Sequence, residues 1–149
     1  MVRIPLSIVG NQLVLICAIE CRRLRIHRQI IRFVIDTGSA DSFISTKDAT
    51  KLQIPLSGKS KSGEVDFGGS RYDKIELPEF TLYAFEEDNT HNKYISLKVL
   101  LNALRSNKKS EKNIQTAEAL PSILGTKFLK EQGLKLYLDI TEQITYLEK

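Results

Sequence analysis

The sequence predicts an all-β domain, mostly strands with one short helix near the C-terminus, and three features carry that expectation. Apolar residues alternate with others at Val2, Ile4, Leu6 and Ile8, and again at Leu134, Leu136 and Leu138. This period of two is what a half-buried strand shows. Glycine-bearing turns at Gly10-Asn11 and Gly68-Gly69 punctuate the apolar runs. Helical signals are confined to two brief stretches, one starting at Thr46 and one at Thr126.

Each element follows in order. Residues 2–8 form a first strand, Gly10-Asn11 a turn and residues 13–21 a second strand rich in Val, Leu and Ile. Residues 22–28 are basic and make the tip of a hairpin. Its returning strand, residues 30–35, runs straight into Asp36-Thr37-Gly38-Ser39. Phe43 and Ile44 resume apolar character before Thr46-Lys47-Asp48 starts a short helix over 49–52. Ile54-Pro55 stops it, because a residue before proline is pushed toward extended backbone. Residues 57–62 lack apolar periodicity and read as loop.

Residues 63–66 and 71–77 read as a hairpin reversed at Phe67-Gly68-Gly69-Ser70, where glycines accept positive φ. Pro78 begins an extended piece over 80–85, Glu86-Glu87-Asp88-Asn89 turns, and residues 94–101 carry apolar character again. The polar residues 106–116 read as a surface loop. Pro121-Ser122-Ile123-Leu124-Gly125 is a short apolar strand, and Thr126 caps a helix bearing Phe128, Leu129 and Lys130 that ends at Gly133. A strand through Leu134, Leu136 and Leu138, the Thr141-Glu142 turn and a last strand with Ile144 and Tyr146 complete the chain.

Composition bounds the function. The chain has 149 residues, 42% hydrophobic and 27% charged, with 22 Lys+Arg against 18 Asp+Glu, a formal charge of +4. This excludes disordered and fibrous classes and suits one domain over residues 1–149, with no linker at either end. No run reaches the roughly 18–20 apolar residues of a membrane helix. Pro5, Ser7, Gly10, Asn11 and Gln12 break up any signal-peptide pattern, so a cytoplasmic protein is expected. Cys17 and Cys21 on one strand lie about 13 Å apart, beyond disulfide reach, and read as reduced thiols. A zinc site from Cys17, Cys21, His27 and His91 matches no common spacing, so no metal or cofactor is expected.

Asp36-Thr37-Gly38 is the informative segment. An apolar strand delivers a carboxylate to a turn, Gly38 leaves room for an amide N–H to aim at it, and Thr37 and Ser39 add hydroxyls, that of Ser39 within reach of an Asp36 oxygen. One carboxylate is a weak catalyst of amide hydrolysis. Two in contact cannot both ionise, so one stays protonated and the pair holds an acid beside a base. The chain has a single Asp-Thr-Gly, and the nearest imitation, Asp139-Ile140-Thr141, lacks the glycine. A partner carboxylate must therefore be Asp36 of a second copy.

The run Phe33-Val34-Ile35-Asp36-Thr37-Gly38-Ser39-Ala40-Asp41-Ser42-Phe43-Ile44-Ser45 resembles the active-site strand and turn of the retropepsin-like aspartic proteases. Leu120-Pro121-Ser122-Ile123-Leu124-Gly125, with Phe128-Leu129 after it, resembles that family's apolar-apolar-Gly motif and helix. Leu134-Lys135-Leu136-Tyr137-Leu138-Asp139 resembles the strand that follows, and Phe67-Gly68-Gly69 stands where the family has its flap tip. The match runs through residues 2–80 and 118–148 and leaves 86–119 as connecting strands and an enlarged loop.

The resemblance implies a retropepsin-like acid-protease barrel with a flap hairpin, two copies of which form a homodimer with a cleft on its two-fold axis. It implies that Asp36 is the catalytic acid/base, that Thr37 braces the floor of the dimeric site and that Gly38 permits close approach. Ser39, Phe67, Gly68 and Gly69 would meet an extended peptide or unfolded protein bound as an added strand. Val34, Phe67, Ile75 and Leu124 are candidate apolar walls. Thr126 and Lys127 stand where many viral members carry Arg then Asp or Asn, so their arginine contact does not carry over. Ser39 and the chain length suit a cellular or prokaryotic member.

Blander readings stand beside these. Asp-Thr-Gly is good turn chemistry and Gly-Gly suits any hairpin. Asp41 reads as a solvated or locally bonded residue, and Tyr137 and Tyr146 as core or interface. Arg22, Arg23, Arg25, His27, Arg28 and Arg32 lack aromatic interleaving and read as a solvated hairpin tip, so neither nucleic acid nor membrane is an expected partner. The alternative function is a non-catalytic dimerisation or peptide-binding module that keeps the fold.

Overall fold

A computed structural model of the chain describes residues 1–67, 69–87, 93–106 and 119–149. Gly68, His91, Asp88-Asn89 of the expected acidic turn and 107–116 of the expected loop lie outside the described residues. The strands are β1 (Arg3–Pro5), β2 (Ser7–Val9), β3 (Gln12–Cys21), β4 (Ile26–Ile35), β5 (Phe43–Ile44), β6 (Gly63–Phe67), β7 (Ser70–Glu76), β8 (Phe80–Glu86), β9 (Lys93–Val99), β10 (Asn102–Ser106), β11 (Ser122–Leu124), β12 (Lys135–Asp139) and β13 (Ile144–Glu148). Among the described residues the complete α-helices are α1 (Thr46–Lys51) and α2 (Thr126–Glu131). The fold is mostly β, as expected.

One sheet runs β6-β7-β10-β5-β11-β4-β3-β8-β9, with β2 added beside β3, and a second runs β1-β13-β12. Alternation decides what is covered. Leu15, Cys17 and Ile19 on β3 and Ile31, Phe33 and Ile35 on β4 are buried, while Ile16, Ile30 and Arg32 between them are exposed. Phe33, Phe80, Leu82 and Leu124 are fully covered, and each such side chain contributes roughly 1.5–3 kcal/mol.

Several expectations shift for physical reasons. The first predicted strand is two: β1 pairs with β13 and β2 with β3, so the chain changes sheets at Leu6. The basic tip is shorter than expected. Arg22–Leu24 make one 3-10 turn, Arg25 closes it at φ 57°, and β4 begins at Ile26, which is buried. β10 was not legible, because Ala103 and Leu104 are both covered and a strand buried on both faces shows no alternation. Helix α1 starts at Thr46 under an N-cap from Ser45, whose hydroxyl accepts the Asp48 N–H at 3.1 Å, and it is left through Gln53 at φ 56°.

Three strands position the site. β11 lies between β4 and β5, parallel to β4 with Leu124 opposite Ile35, and antiparallel to β5 with Ile123 opposite Phe43. No helix among the described residues is long and apolar enough to cross a membrane. Among those residues no cluster of three or more His, Cys, Asp or Glu could hold a metal ion. Cys17 and Cys21 are both free and buried, and burial pushes the Cys17 thiol up to about 12.

Candidate active site

Asp36 follows β4 directly, and its own N–H donates to the Leu124 carbonyl at 3.0 Å. The backbone that bears the carboxylate is thus tied to β11 at the residue itself. Gly38 N–H donates to Asp36 Oδ1 at 2.9 Å and Ser39 N–H to the Asp36 carbonyl at 3.2 Å, which closes the turn. A side chain at Gly38 would place its Cβ 3.2 Å from Asp36 Oδ1, so glycine keeps the amide and carboxylate together. Asp36 is half-buried, and Thr37 and Gly38 are exposed. The turn presents its acid at the surface, with no further hydrogen bond to the carboxylate among the described residues.

A second layer clamps this turn from behind. The first amides of α2, which have no partners within their own helix, donate to it: Thr126 N–H to the Ser39 carbonyl at 2.8 Å and Lys127 N–H to the Ala40 carbonyl at 3.1 Å. Gly125 is buried against the same carbonyls. A Cβ there would lie 2.6 Å from Ser39 O and 2.7 Å from Ala40 O, closer than real contacts allow. Gly125 N–H donates to the buried Ser42 hydroxyl at 2.9 Å. The N-cap of α2 is therefore Gly125 and not Thr126 as expected, since the turn supplies the acceptors that a capping side chain would.

Asp41, expected to be solvated or locally bonded, joins three elements. Lys127 Nζ reaches Asp41 Oδ1 at 2.9 Å and Lys74 Nζ, from β7, reaches Oδ2 at 3.5 Å. The Lys127 hydrogen bond, helped by Lys74 and partly opposed by burial, holds the Asp41 carboxyl below its ordinary value. Deeper in, the Ser122 hydroxyl accepts the Ser45 N–H at 2.9 Å and donates to Asp48 Oδ2 at 2.6 Å, tying β11 to α1.

The β6–β7 hairpin is the flap candidate. Gly69 takes φ +80°, the left-handed conformation that a two-residue reversal requires. Phe67 packs edge to face on Phe43 with centroids 5.5 Å apart, and it joins Val65 and Leu120 around the buried Phe43, Tyr72 and Leu104. Arg105 braces the base: its guanidinium donates to the Leu56 and Lys59 carbonyls at 3.0 and 2.8 Å and to Asp73 Oδ2 at 3.1 Å.

Of the expected site residues, Asp36, Thr37, Gly38 and Ser39 share one turn, while Phe67 and Gly69 lie on the hairpin. The Ser39 hydroxyl donates to the Asp41 carbonyl at 2.8 Å and so serves the turn itself, not Asp36. Ile75 and Leu124 are fully buried and cannot line a cleft, whereas Val34 and Phe67 remain half-buried. Asp139 only caps a turn, accepting the Glu142 N–H at 3.0 Å. Gly125, Asp41, Ser42 and Lys127 are the supporting residues whose roles the sequence did not reveal.

A family model described as aspartyl protease matches residues 23–128. The chain belongs to the aspartyl protease family. The crystal structure of a retropepsin-like aspartic protease from Rickettsia conorii has a TM-score of 0.55 to this aspartyl protease, covering 97% of this chain and 88% of that one at 14% identity. The two share the fold. EIAV protease complexed with the inhibitor HBY-793 is 16% identical over 87% of this chain and 96% of its own, with a TM-score of 0.44. No curated protein sequence is significantly similar.

Proposed function

We propose that the chain is an aspartic endopeptidase active as a homodimer, cutting extended polypeptide with a water activated between two Asp36 carboxylates. The observation that carries this reading is the Asp36 turn: an anchored, surface-presented acid with Gly38 N–H on one oxygen, present once per chain. A two-fold axis beside Thr37 and Gly38 would set the same residue of each protomer face to face. Exposed Leu138 and Ile144 on the terminal sheet, and Ile140 in the turn between its last two strands, offer apolar area for the same contact.

In that dimer the ionised carboxylate takes a proton from water as its oxygen attacks the scissile carbonyl carbon. The protonated partner gives its proton to the carbonyl oxygen. The tetrahedral diol then collapses: one diol hydroxyl returns its proton to the ionised carboxylate as its oxygen re-forms the carbonyl, the carbon–nitrogen bond breaks, and the amine leaves with the proton of the other carboxyl. Thr37 and Gly38 hold the floor, and Phe67, Gly68, Gly69 and Ser39 flank an extended substrate. Residues 1–149 act as one catalytic half, with no metal or cofactor in the chemistry. A reducing cytoplasm suits two buried thiols.

Asp36→Asn tests the reading, because an amide keeps an acceptor for Gly38 N–H and loses the proton chemistry. Cleavage of an unfolded protein between roughly pH 4 and 7 is expected to vanish, with unfolding unchanged. Specific activity of the wild type should rise with protein concentration. A wild type that cuts no unfolded polypeptide would leave a peptide-binding or dimerisation module as the better reading.

A further inference from the structure

The outer face of β4, β3, β8 and β9 carries an apolar band that no described element covers. Register places Ile16 beside Arg32, Ala18 between Ile30 and Tyr83, and Phe85 beside Tyr94. Ile16, Ile30, Phe85 and Tyr94 are 49%, 62%, 39% and 69% exposed. The Phe85 and Tyr94 rings meet edge to face with centroids 6.0 Å apart. Beside them the surface dips into a groove of about 440 Å³, walled by Pro5 and Leu6 where the chain changes sheets. A recess of that size takes side chains, which a polypeptide can insert and a flat lipid surface cannot.

The border of the band is basic. No Asp or Glu occurs from Cys21 through Ile35, while Arg22, Arg23, Arg25, Arg28 and Arg32 all do. Arg28 lies over the Tyr83 ring at 4.4 Å and pairs with Glu20 at 3.5 Å, while Glu79 shares a recess with Tyr83, Arg22 and Arg23, and Asp48, which accepts the Ser122 hydroxyl, shares one with Ile30 and Arg32. Among the described residues, Arg32, beside Ile16 on the band, and Arg22 and Arg23, in a recess with Tyr83, form no ion pair. Unmatched cations next to uncovered apolar side chains are complementary to a chain in which apolar residues have acidic neighbours. Nucleic acid would answer the charge and leave the apolar band in water.

We propose that this face is a docking surface for a polypeptide segment in which apolar side chains are flanked by acidic ones. It is set apart from the Asp36 turn. Ile30 precedes Asp36 by six residues of strand and turn, roughly 20 Å at strand rise. A chain docked on the band and cut at Asp36 needs at least about six extended residues between the two places. Its use as a substrate exosite rests on the protease reading; docking itself does not need Asp36 chemistry.

The test uses Asp36→Asn protein and two fluorescent synthetic peptides with one Leu/Phe core, flanked in one by Glu and in the other by Lys. Fluorescence anisotropy should show the Glu-flanked peptide binding at least about tenfold more tightly, with affinity falling as salt rises. Ile30→Glu, and separately Arg32→Gln, should each weaken it at least about tenfold without moving the thermal midpoint. Equal binding of both peptides, or indifference to these variants, overturns the proposal. So does retention on phosphatidylserine vesicles with neither peptide bound, or a change of oligomeric state in Ile30→Glu, which would assign the face to a membrane or to a second copy. Wild-type protein that cleaves nothing, beside Asp36→Asn protein that binds the Glu-flanked peptide, would sink the protease reading and leave the docking surface standing.

Discussion

Replacing Gly125 by alanine asks whether the clamp behind Asp36 is as tight as its geometry says. The added methyl would face Ser39 O at 2.6 Å, Ala40 O at 2.7 Å and the Asp41 carbonyl. All three are backbone atoms, so no rotamer change relieves the clash and the turn must move away from α2. Overpacking of this kind costs about 1–3 kcal/mol. Separation also lengthens the Thr126 and Lys127 amide bonds to the turn, now 2.8 and 3.1 Å, each worth about 0.5–1.5 kcal/mol. The expected loss is therefore about 2–6 kcal/mol in urea unfolding at one protein concentration. Gly63→Ala is the control, because its Cβ would stand 3.7 Å from a Lys74 methylene, an ordinary contact at ordinary φ. It should match or exceed wild-type stability by up to about 1 kcal/mol. A Gly125→Ala protein within about 0.5 kcal/mol of the wild type would refute the argument that close approach, and not chance, put glycine there.

Further tests address single contacts. The Tyr72 hydroxyl is buried without a partner among the described residues, so Tyr72→Phe should leave stability unchanged or raise it by about 1–2 kcal/mol in urea unfolding, since an unmet buried hydroxyl is a cost. Ser122→Ala removes the acceptor for the Ser45 N–H and the donor to Asp48; about 1–3 kcal/mol should be lost by the same measurement. The Lys127 hydrogen bond and Lys74 hold the Asp41 carboxyl below its ordinary value in the folded chain, so its contribution is present above the ordinary value and disappears as pH falls through the lowered one. The difference in urea midpoint between wild type and Asp41→Asn should be largest near about pH 7 and close near about pH 2; a difference independent of pH would dismiss the lysine pairing as its cause.

What the sequence revealed depended on how far apart the interacting residues lie. The Asp36 turn was legible because its bonds are local: Gly38 N–H to the Asp36 carboxylate spans two residues. The hairpin at Gly69 and the alternation through Leu134 and Leu136 were legible for the same reason. Gly125 stands out in the sequence as the glycine of the apolar-apolar-Gly motif, but its contacts follow only from β11 entering between β4 and β5. Only that insertion brings it under Ser39 and Ala40, and it puts Lys127 on Asp41 across 86 residues. Residue type alone makes Ile75 and Leu124 candidate cleft walls, because it cannot tell which strand is covered on both faces; β10 is hidden for the same reason. The hairpin of 12–35 makes the point most sharply. Its arginines are plain in the sequence and read there as a solvated tip. The structure leaves them exposed, and what sheet order adds is that Ile16 and Ile30 lie beside Tyr83, Phe85 and Tyr94. Charge alone selects no partner, but charge around an uncovered apolar recess restricts the partner to a chain with both kinds of side chain.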